Sequence, residues 1–510
     1  MTKLNWWKWA TMCVGIGLAS LATLAAEPGA LREAEPVATA QDPAKNYYKG
    51  SSSCVRCHNN GDQTLQPLPT QYFVKYDEFK TWKTQDKHSL AYSNLLGPRG
   101  RKMATLLNVA DPTDLKAGCI GCHGAGQAEA GDLIQSKLFD PNDGVSCENC
   151  HGPSSKWGLT HAEPEFRQTS SQDREKMGLI DLRLPARQAE QCLSCHIGKS
   201  DEGKVVTHEM YAAGHPPLPS VEVATFSDYI PRHWWLVGEK PSIKVRQAVG
   251  FVEGTKEKTR LSLVSAAAAL KTSMELLSTE TKAAGTSTVP GLAWPDYARF
   301  DCWSCHHDLK RESWRQARGY EGAPGRPPIS EWPLAVVKLG IARLVLDDPS
   351  AKTLQGELLA HQKAVLDEAN ARPYGRKAGL ATAANLFAVW ADALMQRLST
   401  APYDEAVSAK LLRILVESAD ETVVDYDAAR QIAWTIKILV ADSGSKLGDK
   451  KEAIEAIIKK LDTGLNLILP AGREYKIEDE LGKALQIIGD YEPSMFQKDL
   501  KELLSLLPPA

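Results

Sequence analysis

Read for the spacing of its apolar residues, the chain falls into three stretches of different character. Trp9 through Leu24 is apolar or small throughout. From about residue 51 to 310 no period persists, and glycine and proline interrupt the sequence, as in Gly144-Val145, His151-Gly152-Pro153 and Gly214-His215-Pro216-Pro217. Beyond residue 330 apolar residues recur at helical spacing: Leu334/Val337/Ile341/Leu344, Leu386/Trp390/Leu394, Val407/Leu411/Ile414, Ile432/Ile436/Leu439, Ile454/Ile457/Leu461/Leu465 and Ile477/Leu481/Leu485/Ile488. This predicts six or more amphipathic helices with short connections, stacked as helical hairpins around a core of their own. No fixed repeat period marks a solenoid. One further helix is expected between His233 and Cys302, along the Ala-rich run Ser262 to Leu270 and on toward Leu277, ended by Gly285 to Pro290. Gly319 to Pro328 is dense in glycine and proline and predicts a domain boundary.

The first apolar run follows Lys3 and Lys8 and ends on Ala25 and Ala26, before Glu27-Pro28. Residues 1–26 are therefore expected to be a secretory signal peptide, with an uncleaved membrane anchor as the competing reading. Cys13 follows Met12 rather than a small residue, which argues against a lipoprotein. Either reading puts the body outside the cytoplasm, in the periplasm or another extracytoplasmic space. Residues 27–50, rich in Ala, Pro and Glu, are expected to be a flexible lead-in. No other segment is expected to cross a membrane. The formal net charge of −3 argues against nucleic acid as a partner.

The loop-rich stretch carries the chemistry. Cys-x-x-Cys-His occurs at Cys54/Cys57/His58, Cys119/Cys122/His123, Cys147/Cys150/His151, Cys192/Cys195/His196 and Cys302/Cys305/His306. This is the attachment signature of c-type haem. Two thiols three residues apart can add across the vinyl groups of one porphyrin, and the following imidazole then lies beneath the iron as its proximal ligand. Structural zinc also uses paired cysteines but needs no histidine at that position, and a disulfide reading leaves all five histidines unexplained. Of eleven cysteines the motifs use all but Cys13. Five covalent haems c are expected, forming much of the core of this stretch.

Each iron then needs a sixth ligand or an open position. The histidines outside the motifs are His88, His161, His208, His215, His233, His307 and His361, and only His361 lies in the helical tail. His88, His161 and His215 are expected as distal ligands, with His208, His233 and His307 as further candidates. His307 directly follows a proximal ligand, so its side chain suits a neighbouring haem or a propionate. Met210 is a rival axial ligand, with Met103 and Met177 behind it; methionine would raise the potential relative to a second histidine. Arg56, Arg99, Arg101, Arg232 and Lys310 could pair with propionates. Trp157, Trp234, Trp235 and Trp303 are expected to pack on porphyrin.

The text around the motifs adds a resemblance. Gly144-Val-Ser-Cys-Glu-Asn-Cys-His-Gly-Pro153, Trp157 and His161, Ala212-Ala-Gly-His-Pro-Pro-Leu218, His233-Trp234 and Phe300-Asp-Cys-Trp-Ser-Cys-His-His-Asp-Leu309 resemble the cytochrome c-554 family over roughly residues 50–310. The resemblance implies a mostly helical periplasmic protein with haems stacked in close pairs, which in the namesake members number four, one with an open axial position. Those members carry electrons away from hydroxylamine oxidation. His88, His161 and His215 match positions that look like that family's distal ligands. A fifth motif and some 180 further residues depart from its pattern.

The fold expected is thus mainly α: a loop-rich multihaem cytochrome c domain (51–318) followed by an all-α helical-hairpin domain (331–510). The leading function is electron transfer through closely spaced, mostly bis-histidine haems, an electron carrier rather than a catalyst. Redox proteins are the expected partners, in a membrane quinone-linked or hydroxylamine-oxidising system. The alternative is an oxidoreductase acting on nitrite, hydroxylamine or nitric oxide at an open haem. Pentahaem nitrite reductases have similar length, but their usual catalytic haem is held by lysine, and here every such position is histidine. A third reading makes the C-terminal helices a docking module.

Overall fold

Glu257–Ala283 forms one helix where the Ala-rich run predicts it, and the architecture follows from what that helix packs against. The computed structural model describes residues 46–59, 74–114, 117–124, 138–240, 242–248, 251–283, 294–307, 325–419, 425–465 and 486–509. All of these belong to one unit, Asp42–Ala510. The leader, most of the lead-in, the Gly285 to Pro290 stop, Lys310, most of the Gly319 to Pro328 boundary and the helical pattern from Ile477 to Leu485 lie outside the described residues.

The first half is built from short helices: α1 (Val55–His58), α2 (Glu78–Gln85), α3 (Ala91–Leu96), α4 (Pro98–Leu106), α5 (Ile120–His123), α6 (Cys147–His151), α7 (Ser171–Lys176), α8 (Pro185–His196), α9 (His208–Ala212), α10 (Val223–Tyr229) and α11 (Ile243–Ala248), before the long α12 (Glu257–Ala283). The second half holds α13 (Leu334–Asp347), α14 (Thr353–Asn370), α15 (Lys377–Thr400), α16 (Glu405–Ser418), α17 (Tyr426–Ser443), α18 (Lys451–Gly464) and α19 (Pro493–Leu506). The fold is mainly α. Among the described residues β pairing is confined to isolated bridges, among them Val74 with Trp234, Lys199 with Lys204 and Phe300 with Ile329.

Small residues let α12 sit deep. Ala266 through Ala269 are buried on all sides of the helix, and α8, α10, α13, α15 and α17 close around it. One of its N-terminal N–H groups is satisfied from the far half: Asp442 of α17 accepts from the Thr259 N–H and hydroxyl, both at 2.8 Å. Lower down, Ser278 donates to the Ala381 carbonyl at 2.8 Å, and Lys271 bridges Glu190 of α8 (2.5 Å) and Asp392 of α15 (3.0 Å). One apolar core runs without a break from Ala186 through α12 to Leu507.

In the tail the expected apolar faces of α13, α16, α17 and α18 are buried in large part, including Ile341, Leu411, Ile432, Ile436, Leu439 and Ile454 at 0 % exposure. On α15 the expected face is wrong by a rotation. Leu394 is buried as expected, but Leu386 is 54 % exposed, and the core takes Leu380, Ala384, Phe387, Ala391 and Leu398 beside it. Two alanines mark that stripe, and α12's own small side chains need small partners there. This helix, Lys377–Thr400, is also long and apolar enough to cross a membrane, contrary to the expectation that no such segment follows the leader; half of its most apolar window is buried as core.

Candidate haem centres

A turn of helix is what turns a Cys-x-x-Cys-His sequence into a site. The His58 N–H bonds to the Cys54 carbonyl at 3.0 Å, that of His123 to Cys119 at 3.1 Å and that of His306 to Cys302 at 2.9 Å. This i to i+4 closure gathers both thiols and the imidazole on one side of the backbone. The third motif forms α6, where Asn149 accepts from the Ser146 N–H at 2.8 Å. The fourth ends α8, which begins at Pro185, a residue suited to a first turn.

The fifth motif is a 3₁₀ turn, Cys302–Ser304, closed by the Cys305 N–H on the Cys302 carbonyl at 3.2 Å. Cys302 and Cys305 are exposed, as is Cys57 of the first motif, whereas the other seven motif cysteines are half-buried. The difference lies in what carries each motif. Cys192 and Cys195 end a helix that packs along α12, while Cys305 closes a short turn at the surface, its Sγ 3.7 Å from the Ser304 hydroxyl.

The residues between the cysteines hold the motifs to one another. Glu148, 1 % exposed, accepts from the N–H groups of Lys49 (3.0 Å), Gly50 (2.7 Å) and Ser154 (2.7 Å). Asn149 donates to the Gly124 carbonyl beside the second motif at 3.1 Å, and Gln191 beside the fourth donates to the Asn149 carbonyl at 2.5 Å. The thiols come in neighbouring pairs as well, Cys54 beside Cys147 and Cys122 beside Cys195.

The candidate distal histidines return to these motifs from distant parts of the chain. His161 faces His58 with ring centres 6.1 Å apart, His88 faces His196 at 6.4 Å, His215 faces His123 at 6.3 Å and His208 faces His306 at 6.1 Å. Two imidazoles binding one first-row metal from opposite sides, at about 2.0–2.1 Å per bond and with ring centres about 1.2 Å behind the nitrogens, stand about 6.4 Å apart. Each pair joins one motif histidine to one outside histidine, and the spacing fits an iron between them. The ring planes are close to parallel in the His58/His161 and His208/His306 pairs, at 15° and 22°, and perpendicular in the other two, at 88° and 89°.

A metal ligand must be neutral, and on that count the paired histidines divide. Burial holds His196 and His215 down at about 4. Burial also pulls on His58 and His88, but the hydrogen bonds and charges of Glu78 and Asp86 outweigh it and leave both raised. His58 donates through Nδ1 to Glu78 Oε2 at 3.0 Å and His88 to Asp86 Oδ1 at 2.9 Å. His123 and His215 donate to the carbonyls of Ala91 (2.9 Å) and Pro216 (2.7 Å). A ring that donates through Nδ1 keeps its Nε2 lone pair for a metal. Gly144 lets the third motif approach the His88 backbone: its φ is +64°, a Cβ there would lie 2.7 Å from the His88 carbonyl, and that carbonyl accepts from Val145 at 3.0 Å.

The remaining motif histidine, His151, differs. Among the described residues no imidazole faces it at this spacing. Burial holds it at about 4, and His233 is the histidine whose charge acts on it most strongly. The His233 ring packs edge-on against Trp234, with centres 5.0 Å apart. His307 takes part in none of the four pairs, and His361 stacks on Phe387 at 5.6 Å in the tail.

Residues 53–152 match the protein-family model described as cytochrome c554 and c-prime. The match supports a c-type cytochrome. It brings with it covalently bound haem and electron transfer, and it takes in the first three motifs and His88 within 100 of the 510 residues. The resemblance read over residues 50–310 is thus carried by its first part. No curated protein and no solved structure matches the chain.

Other residues noted in this region make contacts within the chain. Arg99 donates to the Gly214 carbonyl (2.9 Å through Nε), Arg101 to Leu96 (2.7 Å), and Arg232 pairs with Glu239 (2.7 Å), so each has a partner within the chain. Trp157 packs edge-on against His161, centres 5.4 Å apart. Trp235, 40 % exposed, lies between Lys75 and Lys240. Met210 approaches Gly118 and Met103 approaches Gly214, beside the second motif and His215. The carboxylates behind the imidazoles are what sequence reasoning missed. Asp86 lies two residues before His88, a local signal; Glu78 lies twenty residues from His58 and leaves none.

Proposed function

We propose that the chain is a periplasmic multihaem electron carrier in which five covalent haems c relay single electrons, four of them ligated by the pairs His58/His161, His123/His215, His196/His88 and His306/His208. The observation that supports this most is the common ring spacing of 6.1–6.4 Å in four pairs drawn from unconnected parts of the chain. When bound, the haem iron supplies one-electron redox chemistry. The polypeptide fixes the cysteines that anchor each porphyrin, places an imidazole on both sides and orients the rings through hydrogen bonds at Nδ1. Neighbouring thiol pairs, Cys54 with Cys147 and Cys122 with Cys195, favour haems near enough for rapid transfer. The leader and the thioether chemistry favour an extracytoplasmic location. Partners are redox proteins in a quinone-linked or hydroxylamine-oxidising system, and the near-neutral charge disfavours nucleic acid.

His151 carries a second reading. With no imidazole facing it at pairing distance among the described residues, this site could serve an open iron that acts on nitrite, hydroxylamine or nitric oxide. Both readings meet one experiment: titration of the oxidised protein with a one-electron donor, followed by exposure to cyanide or nitric oxide. Uptake of five electrons per chain with no ligand bound supports a pure relay in which His233 closes the fifth iron. Stoichiometric ligand binding at one iron, together with turnover of a nitrogen compound above adventitious haem chemistry, supports the second reading.

A further inference from the structure

Helix α2 carries a carboxylate at each end, and each holds an imidazole from a different pair. Glu78 is its first residue, and Asp86 caps its C-terminus. Both Glu78 oxygens are engaged, Oε2 by His58 and Oε1 by the Lys75 N–H at 2.5 Å. Asp86, 6 % exposed, accepts through Oδ1 from both the His88 N–H (3.0 Å) and its Nδ1 (2.9 Å). The helix is pinned in place, with Trp82 donating to the Val145 carbonyl at 3.0 Å and Lys83 paired with Asp143 at 2.8 Å. No other ring in the four pairs has a carboxylate at Nδ1 among the described contacts. His123 and His215 use neutral carbonyls, and the buried His161 Nδ1 has no partner.

We propose that α2 is a shared positioning element, and that Glu78 and Asp86 make the irons of the His58/His161 and His88/His196 pairs the low-potential members of the set. The inference rests on the haem reading above. A carboxylate draws the Nδ1 proton toward itself, so the ring becomes a stronger donor at Nε2. Its negative charge, half-buried or buried, further favours the ferric state, which carries one positive charge more than the ferrous. A neutral carbonyl does much less of both. Electrons entering the protein therefore settle first on the other irons, and these two are reduced last. Glu78 and Asp86 act through the imidazoles and touch no reacting atom.

The test is a spectroelectrochemical titration of the full haem-loaded chain, resolved into its one-electron components, for wild type, Glu78→Gln and Asp86→Asn. Each substitution keeps a hydrogen-bond acceptor but removes the charge. In each variant one low-potential component should rise, by about tenfold in its ferric-to-ferrous ratio at fixed potential, or about 59 mV for one electron, while the other components and the covalent haem count stay as in wild type. The double variant should move two components. Asp86→Glu, which restores the charge, should bring its component back toward the wild-type value. Components that stay put with all haems retained, or that all move together, overturn the proposal and leave the electron-carrier reading intact. If Glu78→Gln loses a haem, Asp86→Asn decides. A wild-type chain that carries no covalent haem fails the underlying reading instead.

Discussion

Replacing His161 by alanine should convert one iron of the oxidised protein from low spin to high spin and leave the number of covalent haems unchanged. The thioether bonds of the first motif come from Cys54 and Cys57, and the proximal ligand is His58, so the substitution touches none of the attachment chemistry. It removes only the ring that stands 6.1 Å from His58. Trp157 and Phe166, which pack edge-on against His161, contribute no side chain able to replace it as a ligand. The vacated position should then bind cyanide or carbon monoxide, and electron paramagnetic resonance with intact-mass measurement reads both results. His361→Ala, in the tail beside Phe387, should change neither. A fully low-spin His161→Ala protein would show that another residue serves the His58 iron.

Truncation after residue 330 should yield insoluble or haem-poor protein rather than an autonomous cytochrome. Leu270 and Met274 of α12 line a small internal space with Leu334, Val365 and Phe387. Exposing these two side chains alone forfeits about 3–6 kcal/mol, a large part of the roughly 5–15 kcal/mol that holds a typical domain together. The cut also removes Asp442 from the start of α12, leaving the Thr259 N–H without its acceptor. The fifth motif loses its support too. The Tyr374 carbonyl accepts from the Trp294 indole at 2.9 Å, and its ring packs on Tyr297 and Phe300, just before Cys302. Expression of residues 27–330 with haem-attachment machinery, followed by size-exclusion chromatography and a haem count, checks this. A monomer with all haems in place would show that the tail is a separable module.

What is local in this fold is legible in the sequence. The five motifs, the Ala-rich helix and most of the tail helices depend on spacings within one turn or a few, and those appear in the text. The conformation of the fifth motif does not, because the motif reads the same whether it ends a packed helix or forms a short 3₁₀ turn. The rotation of α15 is hidden because the pattern of large side chains points to Leu386, while the packed face is chosen by alanines that fit against α12. Helix α14 buries only Leu354, Leu358 and Val365, too sparse a stripe to stand out. Helix α19, by contrast, buries Phe496, Leu500 and Leu503 at regular helical spacing, a signal the sequence does carry. Pairing of distal with proximal histidines is out of reach for a different reason. His58 and His161, or His208 and His306, are brought together by tertiary packing that no interval in the sequence encodes.

Low-temperature electron paramagnetic resonance of the fully oxidised wild-type protein tests the central claim most directly. Perpendicular imidazole planes leave the two iron orbitals that interact with the rings nearly equal in energy and give a highly anisotropic low-spin signal, whereas near-parallel planes split them and give a rhombic one. The pairs at 88° and 89° should supply two irons of the first kind, and those at 15° and 22° two of the second. A spectrum dominated by high-spin iron, or one with no haem signal at all, would contradict the four-pair ligation on which the function rests.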